Sequence, residues 1–334
     1  MKLRMLSALL AAGALAIAGC GGGGQAGPGS PNSTPGGAAA TGAYRIGITQ
    51  IVSHPSLDAA REGFKAALAQ AGLQVTYDEQ NAQGDQATAT SIANKFASQK
   101  LDLVLAIATP TAQATAQVID DIPILFTAVT DPEAADLVNS TQAPGGNISG
   151  TTDMNPVAKQ IALVKRLDPD AKRVGIIYSS GEVNSAVQVG IARKAAQAEG
   201  LEVVESTVTT TSEVLQAAQG LEVDAIYVPT DNNVVAGLDS VLQVAEARRI
   251  PVIAGETDSV HRGALITYGL DYHELGRQTG QMAVRILTEG AEVGQLPVES
   301  QHTPKLVLNT AAAGRMGVTI PQALLDEADE TVEN

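Results

Sequence analysis

The sequence predicts an α/β protein of two similar lobes, each a parallel sheet with helices on its faces, and three observations lead there. From Tyr44 onward short β-rich apolar runs alternate with longer segments of helical period, the pattern of parallel strands joined by crossover helices. The rhythm restarts after a Gly/Pro-rich stretch at residues 143–150, which reads as the approach to a crossing between lobes. The chain from residue 43 to 334 is long enough for two domains with separate cores.

In the first half the spacing predicts strands near 44–49, 73–78, 102–107 and 123–127, with helices near 56–71, 85–99 and 110–119. Leu57, Ala60, Phe64, Ala67, Leu68 and Ala71 recur at three- and four-residue steps, so one stripe of the first helix faces a sheet, and Gly72 closes it. The second half reads as helix 155–167, strand 173–178, helix 184–199, strand 201–207, a short helix near 212–219 and strand 223–228. Helix 233–248, strands 251–254 and 264–268, and a long helix 272–289 follow. The halves match in detail: Gly72–Thr76 answers Gly200–Val204, and Leu101–Leu105 answers Val223–Tyr227.

The first residues carry Lys2 and Arg4, an apolar run from Met5 to Ala18, then Gly19 and Cys20, the order of an export signal too short to span a bilayer. Residues 17–20 resemble the bacterial lipobox, so 1–19 are expected to be removed and Cys20 acylated, as with palmitate. The Gly/Ser/Pro-rich segment 20–42 has no large apolar side chain and is expected to be a solvated tether. Cys20 is the only cysteine, which excludes an intramolecular disulfide, thiol catalysis in the body and Cys-based zinc sites. The formal charge is −15 with no basic block, which argues against nucleic acid as a partner.

In open parallel sheets ligands bind beyond the carboxyl ends of the strands, where helix N-termini offer free N–H groups. Six such exits stand out: 49–56, 108–111, 129–132, 178–185, 229–233 and 255–258, all crowded with hydroxyl, carboxyl or amide groups. Each polar residue taken singly can serve as a helix cap instead. Thr109 before Pro110 and Asp131 before Pro132 both read as an N-cap followed by proline at the first helical position. The exits carry Asp131, Glu182, Asp231 and Glu256 without any Lys or Arg, a lining that suits an ammonium group while helix N–H groups hold a carboxylate. That combination describes a free amino acid. A divalent cation would need several carboxylates on one short loop, and no such loop is present, so no metal or cofactor is expected. Gly-x-Ser-x-Gly, His-Glu-x-x-His, Walker and Gly-x-Gly-x-x-Gly templates are absent, and His54, His261, His273 and His302 stand in unrelated contexts, so an enzyme is not expected.

The segments Ile48–Asp58, Ala108–Gln113, Ala128–Pro132, Ser179–Ser185, Pro229–Asn233 and Thr267–Gly280 together resemble the ABC transporter substrate-binding family whose members include tryptophan/tyrosine-uptake proteins. The resemblance runs from about Tyr44 to the C-terminus and implies a type I periplasmic-binding-protein fold: two Rossmann-like lobes joined by a three-strand hinge. The lobes implied are 43–151 with 270–292, and 152–269 with 293–334. The ligand contacts implied are Gln50, Ser53, His54, Thr109, Thr130, Asp131, Ser180, Glu182, Asn184, Ser185, Asp231, Asn232 and Glu256. By chemistry, Asp231 and Glu182 are assigned to ammonium, and Ser185 with the N–H groups after Thr109 and Ser180 to carboxylate. Gly181 departs from the family pattern by lacking a side chain, which leaves the ligand's size open, and stacking on an aromatic ligand would rest on Tyr178, Tyr268 or Phe126. The function implied is that of a monomeric, lipid-anchored, extracytoplasmic binding protein delivering a small molecule to an ABC permease and its ATPase. A sensor reporting to a receptor, and a sugar or nucleoside as ligand, remain open alternatives. Cys20→Ser is expected to release the protein from membranes, and unchanged retention in the membrane fraction would refute acylation there.

Overall fold

The computed structural model describes residues 43–334, so the expected leader, Cys20 and tether lie outside the described residues. The first lobe runs β1 (Tyr44–Gln50), α1 (Pro55–Gln70), β2 (Val75–Asn81), α2 (Gln86–Ala97), β3 (Leu103–Ile107), α3 (Thr109–Ala116), β4 (Ile124–Val129) and β5 (Ile148–Thr152). The chain then crosses to α4 (Val157–Leu167), β6 (Arg173–Ser179), α5 (Val183–Ala198), β7 (Glu202–Val208), α6 (Val214–Gly220), β8 (Ala225–Val228), α7 (Asn232–Ala236), α8 (Leu238–Arg248), β9 (Val252–Ala254), α9 (Thr257–His261) and β10 (Ile266–Gly269). It returns through α10 (Tyr272–Glu289) and β11 (Glu299–Ser300), then crosses again to β12 (Lys305–Asn309), α11 (Thr310–Met316), α12 (Gln322–Glu327) and β13 (Glu330–Val332).

The first sheet has the order β11-β5-β4-β3-β1-β2 and the second β13-β12-β10-β9-β8-β6-β7. All pairings are parallel except β10 with β12. Strands β2-β1-β3-β4-β5 and β7-β6-β8-β9-β10 therefore follow one scheme twice, with switch points between β1 and β3 and between β6 and β8. The repeat extends to side chains. Asp102 accepts from Arg45 N and Asp224 from Arg173 N, so equivalent carboxylates fasten the starts of β1 and β6. Gly72 and Gly200 end equivalent helices at φ +74° and +70°, a conformation open to glycine without steric cost. Each lobe has its own apolar core, one around Phe64, Phe96 and Phe126 and the other around Ile176, Tyr227 and Ile253.

Several elements differ from expectation. β5 and the elements after 290 were not expected, because Ile148–Thr152 is rich in hydroxyls rather than aliphatics and β11 is only two residues long. The segment expected as helix 233–248 is two helices broken at Gly237. β11 pairs with β5 and Val293 packs in the first core, so residues 293–300 sit with the first lobe rather than the second. Crossings consequently fall at 153–156, 270–271 and 301–304.

Helix α10 brings the start of the return segment against the start of α1, and two glycines allow it. A Cβ on Gly63 would lie 1.9 Å from the His273 carbonyl oxygen, and one on Gly276 would lie 1.8 Å from that of Ala60. The helices therefore touch backbone to backbone, holding Tyr272 beside the N-terminus of α1. Because both colliding atoms are backbone, Gly276→Ala has to push the helices apart. It is expected to destabilise the protein by about 1–3 kcal/mol in chemical denaturation. Unchanged stability would show that the two helices are free to separate.

Candidate functional site

The carboxyl ends of the two sheets face each other across a narrow cavity. The first lobe lines it with His54, Ser56 and Leu57 at the start of α1, Ala128 at the end of β4, and Tyr272 at the start of α10. The second lobe contributes Asn184 from α5, Thr230 after β8, Asn232 and Val235 from α7, and Glu256 after β9, while Asp153 lies on the first crossing.

Backbone irregularities on the first-lobe side mark this as a functional surface. Ala108 and Ala128, after β3 and near the end of β4, have φ of +79° and +56°. A non-glycine residue in that region costs about 1–2 kcal/mol, and such strain clusters at functional sites. Ala128 also sits within the register shift between β4 and β5, a bulge that re-aims the strand end at the cavity. Ala108, not Thr109, is the N-cap of α3, so the expected cap role of Thr109 is corrected and its hydroxyl is left buried without a partner. Helix α1 has no side-chain cap either. The N–H groups of Ser56 and Leu57 therefore remain available at a 16-residue helix's positive end.

Of the side chains expected to contact ligand, His54, Asn184, Asn232 and Glu256 line the cavity. Others stand behind them. Gln50 and Ser53 hold Asp58 in the first turn of α1. Thr130 donates to Asp153, and Glu182 accepts from both Asn184 and Asn232. The ammonium role expected of Asp231 is corrected. Its carboxylate caps α7 through Val234 N and accepts from Ser179 N and from the hydroxyls of Ser179 and Ser185, all within the second lobe. Ser185 is occupied by that bond, so its expected carboxylate role falls with it. Ser180 is exposed, and Asp131 caps a local turn through Ala134 N.

The expected stacking partners lie elsewhere. Phe126 is fully buried core, Tyr178 bonds Glu205, and Tyr268 bonds Arg166 and Glu327. The aromatic ring in the cavity is that of Tyr272, whose hydroxyl donates to Asp153 at 2.5 Å. Tyr272 and Asp153 escaped sequence reasoning because Tyr272 opens α10 directly after a crossing segment and Asp153 stands on one. The signal available was their position directly after β10 and β5. Gln160, fully buried, bonds the carbonyls of Gly255 and Tyr268 and accepts from the Tyr227 hydroxyl, which fixes the loop carrying Glu256.

Electrostatically the site is acidic and unpaired. Burial raises the pKa of Asp153, Asp231 and Asp258; burial and then the neighbouring Asp231 push Glu182 up to about 8. Burial and then Asp258 push Glu256 up to about 7. Burial holds His54 neutral at about 4, with Asp58 opposing and Arg262 assisting. Among the described residues no ion pair reaches any of these five carboxylates. Buried side-chain atoms without a hydrogen-bond partner include His54 Nδ1, Ser56 Oγ and Asn184 Oδ1 on the cavity wall, with Thr49 Oγ1 and Thr109 Oγ1 at the strand exits and Asn155 Oδ1 on the first crossing. Buried polar groups are nearly always satisfied, so orphans gathered at one place point to a polar ligand.

The raised carboxyls set a pH dependence. A native carboxyl with a pKa above its unfolded value binds more protons than the unfolded chain, so stability falls as pH rises through that window. His54 acts oppositely, but only between about 4 and 6.5. The hydrogen-bond partners of Glu182 and Asp231 all belong to the second lobe. The melting temperature of the ligand-free protein is therefore expected to fall between pH 6.5 and 8.5, and a flat or rising profile would contradict the unpaired cluster.

Residues 45–332 match the family profile described as ABC transporter substrate binding protein. The tyrosine-binding protein of Clostridioides difficile is 47% identical over 270 residues, covering 79% of this chain and 78% of that one. A domain from Streptococcus pneumonia solved in complex with L-Trp is 37% identical with a TM-score of 0.84, over 87% of this chain and 100% of that one. The ligand-free, open structure of a Clostridium difficile substrate-binding protein with adhesive properties is 43% identical with a TM-score of 0.65, at the same coverage. The chain is thus nearer in shape to the ligand complex than to the open form, to which it is nearer in sequence. The described arrangement resembles that of the ligand complex.

Proposed function

The chain belongs to the ABC transporter substrate-binding protein family, with its type I periplasmic-binding-protein fold, and we propose that the small molecule it binds is a free amino acid with an aromatic side chain. Members of this family are extracytoplasmic solute-binding proteins rather than enzymes. The observation that carries the amino-acid reading is the pairing at the hinge side of the cavity. Glu256 and Asp153 lie buried without a cation, and beside them Ser56 and Leu57 offer free helix N–H groups. Carboxylates and helix N-terminus are set where one α-carbon can carry an ammonium to the first and a carboxylate to the second. Asp153, held by Thr130 and Tyr272, and Glu256, held by Ser259, replace Asp231 as the ammonium partners. A neutral sugar leaves those carboxylates uncompensated, which disfavours it.

An aromatic side chain is supported by the cavity's apolar wall of Leu57, Val235 and the Tyr272 ring, and by the relatives named for tyrosine and for L-Trp. Capture needs no bond made or broken. The ligand touches both lobes, so it favours the shut form, which a permease then recognises. Acylation of Cys20 would tether the body near that permease through the 20–42 segment.

Glu256→Gln keeps the shape of the side chain and removes its charge. It is expected to weaken L-tyrosine or L-tryptophan binding by about 10- to 100-fold in calorimetric titration, the worth of a hydrogen bond to a charged group. Equal affinity in the variant, or tight binding of a neutral sugar by the wild type, would overturn the reading.

A further inference from the structure

The cavity has a second polar end that the amino-acid head group does not use. Asn184 is 3% exposed and lies two strands away from Glu256 in the order β6-β8-β9. At a strand spacing of about 4.8 Å this puts the two exits about 10 Å apart. The Asn184 amide is held in one orientation. Its Nδ2 donates to Glu182 Oε2 at 2.9 Å and to the Thr230 carbonyl oxygen at 3.1 Å, which uses both amide hydrogens. A carbonyl oxygen only accepts, so the amide cannot be turned over without losing that bond. Oδ1 is therefore left as a buried acceptor at the cavity wall with no partner in the chain.

The same cavity is lined by the side chains of Leu57 and Val235, each 2% exposed, which suit a ring and offer it no hydrogen bond. A solute that satisfies the whole cavity has an ammonium at one end, a flat apolar middle, and an N–H or O–H donor at the other. We propose that Asn184 reads a hydrogen-bond donor at the far end of the solute's aromatic side chain, so that the site selects amino acids with a phenol or indole donor over phenylalanine. This rests on the amino-acid reading above and adds the feature that tells one aromatic amino acid from another.

The physical basis is asymmetric. A buried acceptor set against a donor gains little over water, but set against a C–H edge it loses its solvation outright, and sites built to bond a substrate hydroxyl reject the analogue lacking it. Glu182 acts here as a positioning residue, because its bond to Nδ2 sets which end of the amide faces the solute.

The test is a calorimetric series on the wild-type protein with L-tyrosine, L-tryptophan, L-phenylalanine and O-methyl-L-tyrosine, which keeps the ring oxygen but has no donor. L-tyrosine or L-tryptophan is expected to bind about 10- to 100-fold more tightly than the two ligands without a donor. In Asn184→Leu, and in the smaller Asn184→Ala, tyrosine and phenylalanine are expected to come within about threefold of each other as the unpaired acceptor is removed. Equal affinity for tyrosine and phenylalanine in the wild type overturns this inference and leaves the amino-acid reading standing. A wild-type preference that persists in both variants overturns the assignment to Asn184. Failure of every amino acid to bind overturns both readings.

Discussion

Glu256 and Asp153 are buried at the cavity, at a place where no ion pair among the described residues reaches them. A carboxyl buried alone either carries a desolvation penalty of several kcal/mol as the anion or takes up a proton, which is why burial raises the pKa of Asp153 and Glu256. As anions these two groups leave the site electrostatically incomplete, and in the proposed function the ammonium of the solute completes it. On that proposal binding and closure become one event: a solute that brings an ammonium interacts more strongly with the shut arrangement than with the open one, and the difference is what shifts the population.

The fold serves that constraint by placing weak points of the backbone at the cleft and rigid ones behind it. Duplicated strand order brings the exits of β1, β3 and β4 opposite those of β6, β8 and β9. Contact between α1 and α10 through Gly63 and Gly276 joins Tyr272, the first residue after a crossing, to the helix end that carries His54 and Ser56. In the second lobe Gln160 ties the Glu256 loop to Tyr268, one residue before the end of β10 and the next crossing. Tyr272 and Glu256, both proposed to meet the solute, are therefore braced by elements that adjoin a hinge segment.

Much of this was legible in the sequence. The two-lobed α/β architecture followed from the restart of the strand and helix rhythm, and the matched segments at Gly72 and Gly200 mark a real repeat of topology. The importance of the strand exits, and the excess of acid there, was also visible. Which acid does what was not, because a carboxylate at a strand exit can cap a helix or face a cleft, and both look alike in one dimension. Asp231 turned inward to Ser179, Ser185 and Val234, whereas Asp153, on a segment with no periodicity, turned to the cavity. Tyr178 and Tyr268 were attractive only because the chain has few aromatics, and their hydroxyls are bonded at the outer surface. Ala108 and Ala128 carried no sequence signal, since left-handed backbone at an alanine is imposed by tertiary packing.

In the proposed function a positive charge on the solute answers the buried carboxylates. This is tested most directly by comparing L-tyrosine with its des-amino analogue, 3-(4-hydroxyphenyl)propionate, which keeps the ring, the phenol and the carboxylate and lacks only the ammonium. Titrated at pH 8, the account predicts measurable binding of the amino acid and none of the analogue at the same concentrations. Equal or tighter binding of the analogue would contradict it.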